Sequence, residues 1–329
     1  VLTDDSTTAV IITVDAVALG EIGYINNDYL PNVRAALAKE LRIKPESVLI
    51  NASHCHGIVC KDIEQRTVMA VKEAWKKMVA VNVGVGSGHE DRIMENRRLK
   101  LKSGKEADVR HAYSLPPDEE VVGVGPVDPE IGVLRIDRMD GTTLAVVYNF
   151  AVHPIQGVAG GENTADITGF ASQVIEDNLS EGTIALFIQG CAGDINPALY
   201  KDVDKPRDAE ALGNMLGLST LKAVRKIKTH ENTPLKLLNE PLTLPRGELQ
   251  PRIYALESRQ KELLGSLQGA TLNLKSFLPL AVKYKLSGDF PSHAAHRYFH
   301  EKGLGREELQ KLDADNRKRI EQYLQNIYV

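Results

Sequence analysis

Apolar and polar positions follow two periods along the first two thirds of the chain. Ala9 to Val17, broken by Asp15, Val48 to Ala52 and Val81 to Val85 are short β-branched runs that predict strands. Between them, Asp28 to Leu41 carries apolar residues at helical spacing, with Pro31 tolerated in the first turn. Lys61 to Val79 sets Ile63, Val68, Val71 and Trp75 on one helical side. Two further apolar runs, Ile131 to Ile136 and Thr143 to Val152, are joined by Asp140-Gly141, a hairpin signal. Gly169 to Leu179 reads as a helix and Asp208 to Ile227 as a long one. Thr183 to Gln189 alternates too weakly for a one-sided sheet, which predicts a central strand. The polar stretch from Gly86 to Pro126 is long for a structureless loop, and such loops are often functional.

This order predicts an α/β fold, a layered mixed β-sheet flanked by helices; the hairpin argues against a purely parallel sheet. From about Glu240 the pattern changes. Leu249 to Gly265, Leu272 to Lys285 and Arg306 to Ile327 read as helices, interrupted at Pro291-Ser292. We expect an α/β core over 1–240 and a helical C-terminal appendage of the same domain over 241–329. The chain starts at Val1 without a methionine and ends in an amphipathic pattern with no stop signal, which predicts truncation at both ends.

Composition narrows the function classes. A chain of 329 residues with 43% hydrophobic residues can bury a sizeable core. A net charge of −4 gives no reason to expect a nucleic-acid partner. No apolar run reaches the roughly 18 residues of a transmembrane segment. Cys55, Cys60 and Cys191 are too few and too irregular for a disulfide framework.

Candidate chemistry centres on histidines. His54 and His56 end the run Val48-Leu49-Ile50-Asn51-Ala52-Ser53, and strand alternation predicts that both imidazoles leave on the same side. His153 ends the similar run Val146-Val147-Tyr148-Asn149-Phe150-Ala151-Val152. Histidines delivered by different strand ends suit zinc, and we expect His54 and His153 to converge on one ion. The other histidines lie in polar, helical or loop settings. Gly190-Cys191-Ala192-Gly193-Asp194-Ile195-Asn196-Pro197 follows a buried strand; its glycines allow close backbone approach to a ligand, or form an ordinary tight turn. Asp166 or Thr168 is placed to cap the helix that follows it.

Taken together, these segments resemble the neutral/alkaline (non-lysosomal) ceramidase family. Asn51-Ala52-Ser53-His54-Cys55-His56-Gly57 is similar to its histidine-x-histidine motif. Asn96-Arg97 resembles its Asn-Arg element, and Asn149 to Pro154 its second metal-histidine segment. Asp166 with Gly169-Phe170-Ala171 resembles Asp-x-x-Gly-Tyr-Ala, and Gly193-Asp194-Ile195-Asn196-Pro197 resembles Gly-Asp-x-Ser-Pro, with Asn196 in the serine position. The matches keep the family order from about residue 10 to 200.

The resemblance implies that His54 and His153 bind Zn2+ and that His56 and Arg97 contact the scissile carbonyl or its oxyanion. It implies hydrolysis of the N-acyl amide of ceramide, or of a related lipid or amide, by a metal-activated water. Asn196 would then hydrogen-bond the substrate or shape the turn, having no acidic O–H to activate. The family's glutamate and tyrosine ligands belong to a later segment that has no match here. Asp15, Asp166 and Asp194 are the acids able to substitute. The resemblance also implies a role in sphingolipid or lipid metabolism, secretion or a periplasmic location, and peripheral membrane contact. No residue pattern points to a protein partner. Two other readings stay open: a ceramidase-like binding protein without turnover, and a hydrolase with Cys191 as nucleophile.

Overall fold

The computed structural model describes residues 1–4, 6–109, 116–157, 164–198, 208–231, 234–245 and 247–266. The chain divides into two compact units; Val1–Leu238 falls in the first. In order, the first unit holds β1 (Leu2–Thr3), β2 (Thr8–Val14), α1 (Tyr29–Leu41), β3 (Val48–Ala52), α2 (Ile63–Lys76), β4 (Val81–His89), β5 (Met94–Asn96) and β6 (Arg98–Leu101). It continues with β7 (Glu106–Asp108), β8 (Val121–Val124), β9 (Glu130–Arg138), β10 (Thr143–Phe150), α3 (Asp166–Asp177), β11 (Ile184–Gln189), β12 (Ile195–Pro197) and α4 (Ala209–Val224). Helix α5 (Gln250–Ser266) belongs to the second unit. The expected helices at Leu272–Lys285 and Arg306–Ile327 lie outside the described residues.

The architecture is mixed α/β. A four-stranded sheet runs β11-β10-β9-β4, and a three-stranded one runs β1-β2-β3. Strands β10 and β11 are parallel, from Ala145↔Ile184 to Phe150↔Gln189, as are β2 and β3, from Val10↔Val48 to Val14↔Ala52. Strand β9 is antiparallel to both β10 and β4. The β9–β10 turn forms at the predicted place: Gly141 takes φ 85° and Asp140 Oδ1 accepts the Thr142 N–H at 2.9 Å. Gly suits that backbone because a Cβ would be strained there.

Two hydrophobic cores flank the sheets. Tyr148, Phe150, Ile131 and Phe187 pack with Ile167 and Ile175 of α3 and Leu216 and Leu221 of α4. Val10, Val14, Val48 and Ile50 pack with Val33 and Leu37 of α1 and Val71 of α2. The helical periodicity of each segment is thus the imprint of one sheet-facing side.

Three expectations are corrected. Among the described residues, strand β11 has a ladder partner only on its β10 side, so it ends its hydrogen-bonded sheet. It lies against β2 and β3 on the other side, which accounts for its weak alternation. The stretch Gly86–Pro126 is not one long loop. Strand β4 runs on to His89, and β5, β6, β7 and β8 lie within the stretch. Strands β6, β7 and β8 are half-exposed and all four have only three or four residues, too few to show an apolar period. Helix α3 begins at Asp166, three residues before the predicted start.

Helices α3 and α4 approach closely over small residues. A Cβ on Gly213 would meet Phe170 Cβ at 2.5 Å and Ile167 O at 2.7 Å. Gly213→Ala should therefore destabilise the chain by about 1–3 kcal/mol through overpacking. That outweighs the gain in helix propensity of up to about 1 kcal/mol. Urea unfolding checks the sign, and a more stable variant would mean that the helices part freely.

Candidate metal centre

The site forms past the carboxyl ends of β2, β3, β10 and β11. Strand β3 ends at Ala52, and the Ser53 N–H still donates to the Val14 carbonyl at 2.9 Å. The next residue, His54, turns sharply, with φ 64°. A non-glycine residue in the left-handed region carries strain, and such residues concentrate at functional sites. Strand alternation is therefore not what aligns His54 with His56, contrary to expectation. The turn at His54 sets their ring centroids 5.1 Å apart at 82°.

His153 lies three residues beyond β10 and is buried. Its Nε2 comes within 3.0 Å of His54 Nε2. The ligating atoms of His54, His56 and His153 all lie within 4.8 Å of one another. This is the convergence expected of His54 and His153, with His56 added.

Backbone carbonyls settle the tautomers of the two inner rings. His54 Nδ1 lies 2.8 Å from the Val17 carbonyl, and His153 Nδ1 lies 3.1 Å from the Ile195 carbonyl. A carbonyl oxygen only accepts, so each Nδ1 carries the hydrogen. In the neutral rings both Nε2 atoms then present lone pairs to each other across 3.0 Å. Facing lone pairs repel unless a cation or a proton lies between them, so this arrangement could hold a metal ion. Anchoring the far nitrogen of a histidine on a carbonyl is how metal-bound imidazoles are oriented. Burial pushes the His153 imidazole down to about 4, with His54 and then Arg97 adding to the effect. His56, though exposed to solvent, is also lowered, first by burial and then by His54.

The 94–97 and 194–197 segments bring the other candidates in. Strands β5 and β12 pair antiparallel, with Asn196 opposite Glu95. The Arg97 N–H donates to the Asp194 carbonyl at 2.8 Å, and Arg97 Nε pairs with Asp108 Oδ1 at 2.8 Å. The Arg97 guanidinium is mostly buried and close enough to act on His153. Asn196 is buried at 1% exposure, and neither atom of its carboxamide has a hydrogen-bond partner among the described residues. Such a group carries a desolvation cost that a ligand can relieve.

The acids named as substitute ligands do other work. The buried Asp166, at φ 54°, accepts N–H groups from Gln156 at 3.0 Å, from Gly157 and from Ile167 at 2.8 Å. It does not simply cap α3; it pins the loop after His153 to the helix start. Thr168 Oγ1 donates to the Ala165 carbonyl at 2.7 Å. Asp194 Oδ2 accepts from Arg98 Nε at 3.1 Å and Asn96 Nδ2 at 3.3 Å. Asp15 lies beside Ser53, where burial raises its carboxyl pKa and the serine hydrogen bond partly offsets the rise. Cys191 is exposed, and among the described residues no hydrogen bond joins it to a histidine. The cysteine reading lacks the nucleophile–base contact it requires.

Two solved structures were compared with this geometry. A neutral ceramidase from Pseudomonas aeruginosa aligns at 20% identity and a TM-score of 0.45, over 60% of this chain and 34% of that one. A ceramidase complexed with C2 aligns at 20% identity and a TM-score of 0.47, over 62% of this chain and 34% of that one. The chain spans about a third of the length of each. No family model and no curated protein matches the sequence.

Asp166 supports the loop geometry, and this can be measured. Asp166→Ala strands three N–H groups, two of them in the loop after His153, at about 1–3 kcal/mol each. We expect a loss of at least about 3 kcal/mol in urea unfolding. Asp166→Asn, which tolerates the same backbone region, should lose less. A loss under about 1 kcal/mol for Asp166→Ala would show that the loop holds without it.

Proposed function

We propose that this chain carries the histidine centre of a zinc-dependent amidohydrolase resembling neutral ceramidase. The single observation that carries the reading is the His54–His153 pair, with both Nδ1 atoms anchored on carbonyls and both Nε2 atoms facing at 3.0 Å. Tetrahedral Zn–N bonds of 2.0–2.1 Å set two ligand nitrogens about 3.3 Å apart, close to this spacing. An all-imidazole donor set suits zinc better than calcium or magnesium, which prefer oxygen.

When bound, zinc supplies Lewis acidity and lowers the pKa of a water towards about 7. The chain's own residues supply the rest. His56, on the solvent side, is placed to take a proton from the attacking water or give one to the leaving amine. Arg97 offers fixed positive charge to the developing oxyanion, and Asp108 holds its guanidinium in place. The Asn196 carboxamide, without a hydrogen-bond partner among the described residues, would offer a hydrogen bond to the substrate amide. It cannot act as a serine-type nucleophile.

The substrate follows from the ordered motif resemblance: the N-acyl amide of ceramide or a related amphiphilic amide. Secretion or a periplasmic location, and peripheral contact with a membrane surface, belong to the same reading. No described helix is long and apolar enough to cross a membrane.

Metal titration against a competing chelator, followed by N-acyl amide hydrolysis, tests the reading. We expect one zinc per chain. His54→Ala and His153→Ala should abolish both binding and turnover. His56→Ala should retain zinc but lose turnover by about 100-fold or more, the usual worth of a general acid–base. Loss of zinc in that variant would instead put His56 in the ligand set. Zinc affinity should persist as pH drops and be lost as it approaches about 4, where the His153 imidazole takes up a proton, because only neutral imidazole binds metal. A chain that takes up no zinc at pH 8 would overturn the proposal.

A further inference from the structure

A polar cleft, of about 340 Å3, opens beyond the carboxyl end of β4, between that strand and α4. Strands β4 and β10 are both antiparallel to β9, so this cleft lies at the same sheet end as His153. Its lining includes none of the three clustered histidines. The volume is within the range of small-molecule sites, roughly 300–1,000 Å3.

The cleft is a built one. The Glu90 side chain is fully buried. Its Oε1 accepts Arg92 Nε and the Arg92 backbone N–H, each at 2.9 Å, its Oε2 pairs with Arg92 Nη2, and Ser219 Oγ donates to Oε2 at 2.7 Å. This fork fixes the Arg92 guanidinium, whose side chain stays 58% exposed and lines the cleft. Ser219, Lys222 and Ala223 line the cleft from one face of α4, at i, i+3 and i+4, and Lys226, in the turn just past the helix, lines it too. That face is held hard against β4: a Cβ on Gly88 would meet Ala223 Cβ at 3.0 Å.

Lys222, in the last turn of α4, and Lys226, in the turn just past it, are like charges lining one cleft, where they repel. Among the described residues no carboxylate is ion-paired with either lysine. Of the two acids of the cleft, Glu90 is held by Arg92 and Ser219, and the exposed Asp91 carries its Oδ2 3.4 Å from His89 Nε2, an ion pair only when that ring is protonated. Three cationic groups thus share one concavity, one of them a rigid planar donor. We propose that this cleft binds a small phosphate-class oxyanion, with Lys222 and Lys226 supplying charge and Arg92 supplying directed N–H donors. A compact oxyanion matches a fixed guanidinium fork flanked by ammonium groups.

Isothermal titration of the full chain with sodium phosphate, at constant ionic strength against a sodium chloride blank, tests the site. Glycerol 3-phosphate in a parallel titration separates free phosphate from a phosphate monoester; saturable binding of either supports the site. The double variant Lys222→Gln/Lys226→Gln changes only exposed side chains and should weaken binding by about tenfold or more. Arg92→Lys should weaken it too, since an ammonium lacks the planar fork. His54→Ala should bind as the parent does. No saturable heat with either anion, unchanged affinity in the double lysine variant, or loss of binding in His54→Ala would each overturn the proposal, the last by placing the anion at the histidine cluster.

Discussion

The candidate centre depends on one kind of interaction: an imidazole N–H held by a backbone carbonyl at a strand end. The Ile195 carbonyl accepts both the His153 backbone N–H at 3.0 Å and its ring Nδ1 at 3.1 Å. The Val17 carbonyl holds His54 in the same way. Without these contacts either ring could turn over and bury its lone pair against protein. With them, both Nε2 atoms face one point. The carbonyls themselves are fixed by what surrounds them: Ile195 by the β5–β12 pairing, and Val17 by its place just past β2.

This explains why the sheet topology matters to the chemistry. Parallel pairing of β2 with β3 and of β10 with β11 sends four chain segments out at one edge. Each segment contributes a different part: Val17 a carbonyl, His54 and His56 rings, His153 a ring, and the turn after β11 a carbonyl and the buried Asn196. An antiparallel arrangement would send alternate segments to the far end. Ligand sites in open α/β sheets sit at the carboxyl ends of strands for the same reason.

Much of this was legible in the chain. Strand β3 has the bounds its apolar run predicts, and the Asp140-Gly141 hairpin forms as expected, because local turn chemistry and burial agree there. His54 and His153 stood out because each follows a buried apolar run. What could not be read were the partners that carry no residue-type signal. A carbonyl at position 17 or 195 looks like any other, so the anchoring of the rings was invisible. The left-handed turn at His54 was equally hidden, since histidine's preference for that backbone is too weak to locate a turn. Asp166 misled for a related reason. An acid before a helix reads as a cap, yet here it reaches back to residues 156 and 157. The short strands of Gly86–Pro126 failed to register because three or four residues are too few to show a hydrophobic period.

Asn196 shows how stability and function are set against each other here. Its carboxamide is fully enclosed, but neither its oxygen nor its nitrogen is satisfied among the described residues. A buried unmade hydrogen bond costs about 1–3 kcal/mol, so an apolar residue of the same size would make a more stable turn. Its neighbours do not need the side chain. Ile195 anchors His153 through its backbone, and Pro197 closes the short strand against Met94. The amide therefore does nothing for the fold that a leucine could not do. What it adds is one donor and one acceptor, held rigidly one residue from the carbonyl that orients His153. On the proposed reading, that unsatisfied pair completes its hydrogen bonds only when a substrate amide enters, so the cost borne in the free protein becomes affinity for the bound amide.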